Sequence, residues 1–407
     1  AKAHEDNVSR LNATQLALKI LANGGYGAIA NRYFRYFDVD IAEGITMTGQ
    51  TVIRFVAAAI NEKMNELMET VGVDYVLGSD TDSCMTSIAA FMEGYIEACG
   101  MPANYNDLID VADQFVQANI ERDVLEPRLK ELATQLGSIN STLSMKREAI
   151  ADRGLFRAKK HYVLQVWDNE GVRYTEPDMK MVGIETARTT TPKICKDMLT
   201  TALKIILNGE EADLKREFKV WKQTFATESP QKIGFPRGVS EINKWSDPLG
   251  NPIKKTPIGA KAALAYNKLL KQHSLLELDP IKEGSKLKFV YLRHNNPTGM
   301  NVVGFMDEIP EQFDLDHWID RDVQFEKALT IPLQSFTSLV DWHVVKARPA
   351  TLDDSWFDED YDAEQVVSTP ARPAMAPVKT REPSSRAPKP TAKSKKQPKP
   401  TLDSLFG

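Results

Sequence analysis

The chain has 407 residues, enough for two or three domains, and a hydrophobic content of 42% supports an ordinary core. Its net charge of −5 excludes a protein that binds polyanions over its whole surface, so any nucleic-acid contact must be a local patch. No apolar run approaches the roughly 18 residues that span a bilayer and no secretory signal opens the chain, while three cysteines (Cys84, Cys99, Cys195) and six histidines without CxxC or HExxH spacing fit a reducing cytosol and no zinc site.

Taken in order, residues 9–23 place Leu11, Leu16, Leu18, Ile20 and Leu21 at helical spacing without a proline. Lys19, Asn23 and Tyr26 fall at i, i+4 and i+7 and would share one face of a continuing helix. Gly24, Gly25 and Gly27, at about 1 kcal/mol each against Ala in a helix interior, are expected to end or loosen it. Alone, such a Lys-Asn-Tyr stripe is a solvated face. Val52, Val56, Ile60, Met64 and Leu67 recur every three or four residues and predict an amphipathic helix. The stretch Val73–Ser87, VDYVLGSDTDSCMTS, then predicts a hairpin of two short strands with acids at its turn. Asp80 and Asp82, at i and i+2 of extended backbone, would project to the same side and repel unless a cation sits between them. Ligands that are all oxygen suit Mg²⁺ or Mn²⁺. Read in isolation, the same tripeptide is an acidic turn solvated at the surface. A calcium loop is excluded, because position 84 is Cys and no Gly follows where that loop requires one. Helical patterns fill most of 105–137.

Two strings together carry a resemblance. LKILANGGYGA (Leu18–Ala28) resembles the fingers motif Lys-x-x-x-Asn-Ser-x-Tyr-Gly of family B DNA polymerases, and the hairpin resembles their palm motif Gly-Asp-Thr-Asp-Ser. The likeness, in particular to the replicative enzymes of T4-like bacteriophages, continues in collinear order. FRYFDVDIAEGITMTGQ (Phe34–Gln50) is similar to the stretch that joins fingers to palm, and the amphipathic helix after it would pack under the palm sheet. MKREAI (Met145–Ile150) resembles a Met-Asp-Arg-Glu-Ala-Ile string, and RAKKHYVLQVW (Arg157–Trp167) a Lys-Lys-Arg-Tyr strand. Met179–Lys193 and Trp318–Leu333 are similar to the opening and closing parts of the thumb, and the final LDSLF to a sliding-clamp peptide. The resemblance implies an α+β fold: a palm of antiparallel sheet with helices, a mainly helical thumb and a disordered C-terminal tail. The implied boundaries are 1–32 for the second fingers helix, 33–176 for the palm, 177–350 for the thumb, 351–400 for a linker and 401–407 for the clamp-binding peptide.

It also implies a chemistry. A primer 3′-hydroxyl attacks the α-phosphate of a deoxynucleoside triphosphate, and two divalent ions roughly 3.5–4 Å apart stabilise the attacking and leaving oxygens. By carry-over Asp82 ligates the two Mg²⁺ ions directly, with Mn²⁺ able to substitute, and Asp80 supports it. Lys19 touches the triphosphate, where a point positive charge offsets developing negative charge. Asn23 and Tyr26 line the nascent base pair. Lys159, Lys160 and Tyr162 track the primer-template, since a Lys on an extended strand can follow the minor groove without reading sequence. Taken without the family, Lys159 and Lys160 equally suit an exposed edge strand.

Departures from the family pattern are as informative. Gly24 stands for a Ser and Gly25 for a bulky apolar residue, so the nucleotide-facing end of the helix is expected to be more mobile. Ser79 stands for the Gly before the first Asp, His161 for an Arg, and Lys146 for an Asp, with Glu148 kept. The family's further palm Asp, in the context Asp-x-x-Ser-Leu-Tyr-Pro, has no counterpart; FDVDIAEG lacks the Ser and the Tyr-Pro. The exonuclease carboxylates and the first fingers helix have none either. Two carboxylates alone bind Mg²⁺ weakly, because the ion sheds water reluctantly and wants a full octahedron. The expectation is therefore the C-terminal part of a polymerase, excised or naturally split, completed by an N-terminal partner that supplies the missing Asp and the exonuclease.

Beyond 177, FPRGVSEINKW and NPIKKTPIGAKAALAYNKLLK alternate basic residues with helix formers, as a DNA-gripping surface would, and KLKFVYL with VVGFM suggests a small strand pair. A plain α+β accessory domain has the same composition. Asp353–Glu364 holds seven acids, and residues 371–400 hold nine Lys/Arg, one Glu and seven Pro, a composition expected to remain a disordered linker whose basic half attracts DNA. Leu402, Leu405 and Phe406 follow as an apolar hook for a clamp. Two functions remain open at this point: a catalytic polymerase part acting in the cytoplasm of an infected bacterial host, or a non-catalytic module that binds primer-template and sliding clamp.

Overall fold

The computed structural model describes residues 2–102, 104–139 and 142–345. The linker and the clamp peptide expected over 351–407, with Leu402, Leu405 and Phe406, lie outside the described residues. The fold is α+β, with three separate sheets among many helices. By packing, the chain divides into two units between Ile150 and Ala151, within the 33–176 segment.

The first unit begins with α1 (Lys2–Ile29) and α2 (Val39–Leu67). Contrary to expectation, α1 runs straight through Gly24, Gly25 and Gly27. A glycine penalty of about 1 kcal/mol is a weak prior, and the Leu- and Ala-rich neighbours outweigh it. Closure comes later, in the turns over 31–37, where Ala30 still donates to the Tyr26 carbonyl and Asn31 to that of Ala28. The apolar residues of α1 meet no core; Leu11, Leu18 and Leu21 are all exposed. Asp38 caps α2 from extended backbone, its carboxylate accepting the Ile41 N–H at 3.0 Å. On α2 the predicted stripe is real: Val56, Ile60 and Met64 are buried, and each contributes about 1.5–3 kcal/mol on burial.

That stripe packs with Tyr75 and with the helices that follow. β1 (Val76–Asp80) and β2 (Ser83–Thr86) form the expected antiparallel hairpin. After α3 (Ala89–Cys99) comes a long helical run, α4 (Tyr105–Phe115) and α5 (Glu126–Gln135), joined by π-helical turns over Val116–Leu125. Pro127 explains the widening: it has no N–H and its ring clashes with the carbonyl four residues back. The helix instead closes with Glu126 N–H donating to the Glu121 carbonyl, five residues back.

The second unit opens on a three-stranded sheet in the order β3 (Ala149–Ala158), β4 (His161–Asn169), β5 (Val172–Val182). Helices α6 (Lys193–Asn208), α7 (Glu211–Thr227) and the single turn α8 (Pro230–Ile233) lead to β6 (Phe235–Gly238), α9 (Ile258–Gln272), β7 (Lys286–Tyr291) and β8 (Val302–Phe305). The strand pair expected from KLKFVYL and VVGFM is present, but it has a third member. FPRG, read above as part of a helix-forming surface, is β6 at the sheet edge. There Pro236 costs no ladder bond, and Phe235 stacks on its cross-strand partner Phe289 with centroids 5.3 Å apart. α9 lies close on β8 because position 304 is glycine; a Cβ there would sit 3.0 Å from the Ala262 backbone. The unit closes with α10 (Arg321–Phe325), π-helical turns over Glu326–Thr330, and α11 (Ile331–Thr337). A proline again follows the π turns, here Pro332.

Candidate functional site

The acids sit at the tip of the β1–β2 hairpin. Asp80 pairs with Ser83, leaving Thr81 and Asp82 as the turn. Thr81 has φ +54°, an outlier for a β-branched residue, and the Asp82 N–H donates to the Asp80 carbonyl across it at 2.6 Å. This corrects the sequence argument for the pair, which needed extended backbone between the carboxylates. They are carried instead by a tight bend, Asp82 exposed and Asp80 half-buried. The Thr81 hydroxyl donates to Asp80 Oδ1 at 3.0 Å, and the Ser83 hydroxyl to the Asp80 carbonyl at 3.2 Å. A strained residue between two acids is the kind of conformation that surrounding structure must hold in place.

Part of that support comes from α2, and sequence reading missed it. Asn61 Oδ1 accepts the N–H groups of Tyr75 and Val76 at 2.8 and 3.1 Å, and its Nδ2 donates to Asp74. One turn on, Asn65 accepts the Val73 N–H and donates to the Val73 carbonyl. Two asparagines at i, i+4 thus clamp the strand that delivers the acids. The available signal was a pair of amides on a helix whose other face is apolar. Arg147 is a second such residue: it bonds Asp113 at 2.7 Å and its N–H reaches Glu121, fixing the 145–148 segment to the helices beneath. Lys146 and Glu148, either side of it, are exposed.

The donors at the turn are hard oxygens. Burial pushes the Cys84 thiol above its ordinary value. Among the described residues no group of three or more His, Cys, Asp or Glu side chains gathers to hold a metal ion. The carboxylates of Asp80 and Asp82 are of the donor type a divalent hard cation takes, and two of them would leave an octahedron to be completed by other oxygens.

Lys19, Asn23 and Tyr26 all lie on the uninterrupted α1 and share a face, as spaced; each is exposed. No added Cβ at Gly24, Gly25 or Gly27 would meet an atom within 4 Å. Lys159 and Lys160, expected on a strand, instead form the turn between β3 and β4, with Lys160 at φ +61°. A ten-residue strand followed by a nine-residue one needs such a reversal, and the side-chain pattern alone did not reveal it. Tyr162 is on β4, paired with Val182, and lies 5.9 Å from the ring of Phe156. The basic turn thus has two aromatic rings beside it, of which only one was anticipated.

Residues 1–105 match the family model of DNA polymerase family B. The chain is 31% identical over 336 residues to the DNA-directed DNA polymerase of Enterobacteria phage T4, covering 79% of this chain and 36% of that protein. To the DNA-directed DNA polymerase of Escherichia phage RB69 it is 31% identical over 349 residues, covering 83% of this chain and 38% of that protein. The chain thus spans under two-fifths of the length of these curated relatives.

Proposed function

The chain belongs to DNA polymerase family B, and from that premise we propose that it is the catalytic C-terminal part of a phage DNA-directed DNA polymerase, extending primers during viral DNA replication. The observation that carries this reading is the Asp80–Thr81–Asp82 bend, two carboxylates fixed by a strained residue at a hairpin tip. In it Asp82 would hold Mg²⁺ with Asp80 supporting, and the bound ions supply charge stabilisation to the attacking and leaving oxygens. The chain's own residues do the rest. Lys19 binds the triphosphate, Asn23 and Tyr26 orient the incoming base, and Lys159, Lys160 and Tyr162 hold the primer-template by its backbone. In this reading 1–32 is fingers, 33–176 palm and 177–350 thumb. Leu402, Leu405 and Phe406 engage a sliding clamp, and the enzyme works in the cytoplasm of the infected host. No helix among the described residues is long and apolar enough to cross a membrane. The further palm carboxylate is to come from sequence outside these residues, in the same polypeptide or in an N-terminal partner.

The deciding experiment is Asp82→Ala in the completed polymerase, assayed for Mg²⁺-dependent extension and for primer-template binding. Loss of several kcal/mol of charge stabilisation should slow extension on the order of a thousandfold, with binding nearly intact. Substantial residual extension would transfer the chain to the non-catalytic DNA- and clamp-binding reading, which Lys146 in place of an acid favours.

A further inference from the structure

The basic turn at Lys159–Lys160 is held from beneath. Arg157, two residues before it on β3, points to the same side as buried Leu155 and keeps 17% of its side chain exposed. Its Nη1 donates to both carboxylate oxygens of Glu185, at 3.1 and 3.0 Å, and to the Ser335 hydroxyl at 3.1 Å. Its guanidinium carbon lies 5.3 Å from the centre of the Phe336 ring. Ser335 in turn donates to the Pro332 carbonyl on α11. A charge this enclosed persists only where partners compensate its lost hydration, and here they come from two distant stretches of chain.

A second tether sits at the tip. Gly183 follows β5 at φ +66°, and a Cβ at that position would fall 2.0 Å from the Lys160 carbonyl oxygen. The backbone at Gly183 is therefore packed directly on the turn that carries the lysines, and Glu185 follows two residues on. Between them Ile184 is fully buried. His161 completes the frame, its Nδ1 3.0 Å from the Lys159 carbonyl. Lys160 adopts a left-handed backbone that few residues other than glycine favour, so the turn depends on these contacts for its shape.

We propose that Arg157 is a positioning residue for nucleic-acid binding: through Glu185 and Ser335 it locks the backbone of the Lys159–Lys160 turn against Gly183, in the shape in which the turn meets a duplex. Preorganisation matters because an unordered basic turn must lose conformational freedom on binding, at the expense of affinity. This role rests on the assignment of the turn to primer-template, and Arg157 itself stays out of contact with DNA.

The test uses the full chain with Arg157→Gln, Arg157→Lys, Glu185→Gln and Lys160→Ala, following duplex binding across salt concentrations and hydrogen exchange at the 159–161 amides. Arg157→Gln should raise exchange at those amides and weaken binding roughly tenfold, within the range of coupling in one hydrogen-bonded network. Its log affinity against log salt should keep the wild-type slope, whereas Lys160→Ala should reduce that slope by about 0.9. Glu185→Gln gives the sign: removal of an acid tightens binding if net charge alone matters, and weakens it if Glu185 anchors Arg157. Arg157→Lys, which keeps the charge and reaches Glu185, should fall between wild type and Arg157→Gln. Unchanged exchange in Arg157→Gln, tighter binding by Glu185→Gln, or a slope reduced by Arg157→Gln itself would overturn the positioning role. Raised exchange with binding unchanged in both Arg157→Gln and Lys160→Ala would show that the tether exists but the turn does not meet DNA, which overturns both the proposal and the assignment of the turn. Loss of binding by Lys160→Ala with no effect of Arg157→Gln overturns the proposal alone.

Discussion

At the scale of single residues, the most informative position is Thr81. A β-branched residue at positive φ costs on the order of 1–3 kcal/mol, and here that cost is accepted between the two acids of the hairpin. Glycine would adopt the same backbone without strain, losing only the entropy of a freer unfolded chain, about 0.5–1 kcal/mol. Thr81→Gly is therefore expected to leave thermal stability unchanged or raise it by about 1 kcal/mol, while, under the proposed function, slowing primer extension by the completed polymerase. The slowing would come from a more mobile bend and from loss of the Thr81 hydroxyl on Asp80. Melting curves and extension rates measured on one preparation check it; a clearly less stable variant would mean that the bend is not strained. The acids themselves were legible from sequence by type and spacing. So was the reversal that carries them, but not the positive φ of Thr81, because residue type and spacing do not fix a backbone angle within a turn.

At the scale of elements, what escaped sequence reading has a common cause. Helix α2 was visible because Val56, Ile60 and Met64 repeat with its period, and the β7–β8 pair because aromatic and β-branched residues cluster there. The extension of α1 past three glycines was not, since propensity is weak where no tertiary contact arbitrates. The reversal at Lys159–Lys160 and the edge strand β6 carry none of the usual turn or alternation signals. The amide clamps left only a weak signal, two asparagines one turn apart on a helix with an apolar face, and nothing in it says which distant strand they bracket. Asn61 is the strongest case. Removing its side chain leaves the Tyr75 N–H without its acceptor, at about 1–3 kcal/mol for a buried group, while the Val76 N–H keeps Asp74 Oδ1 at 3.1 Å. Asn61→Ala should therefore cost about 2 kcal/mol in stability. It should also impair extension beyond what that loss explains, because the strand it holds ends at Asp80. A denaturant titration paired with extension rates tests both parts, and full stability in the variant would remove Asn61 from the account.

At the scale of the whole molecule, each unit has its own core. Among the described residues one is built on Val56, Ile60, Met64, Phe115 and Leu129, the other on Leu203, Phe225, Phe289, Phe305 and Phe336. The first unit also carries the exposed apolar residues of α1, which add nothing to its core. Cooperativity follows shared packing, and chains with separate cores depart from two-state unfolding. Calorimetry of the full chain should thus resolve two transitions, the first unit melting at the lower temperature. Paired variants assign them. Asn267 in the second unit repeats the device of Asn61: its Oδ1 accepts the Ile281 N–H at 2.8 Å and its Nδ2 donates to the Ile281 carbonyl at 2.9 Å. Asn61→Ala should lower only the first transition and Asn267→Ala only the second, each by roughly 4–8 °C for a loss of about 2 kcal/mol in a unit of this size. The double variant should show both shifts unchanged, as expected for sites without shared partners. A single transition displaced by either substitution would mean that the two cores melt as one, and that the stability of the acid hairpin is set by the full chain and not by α2 and its neighbours.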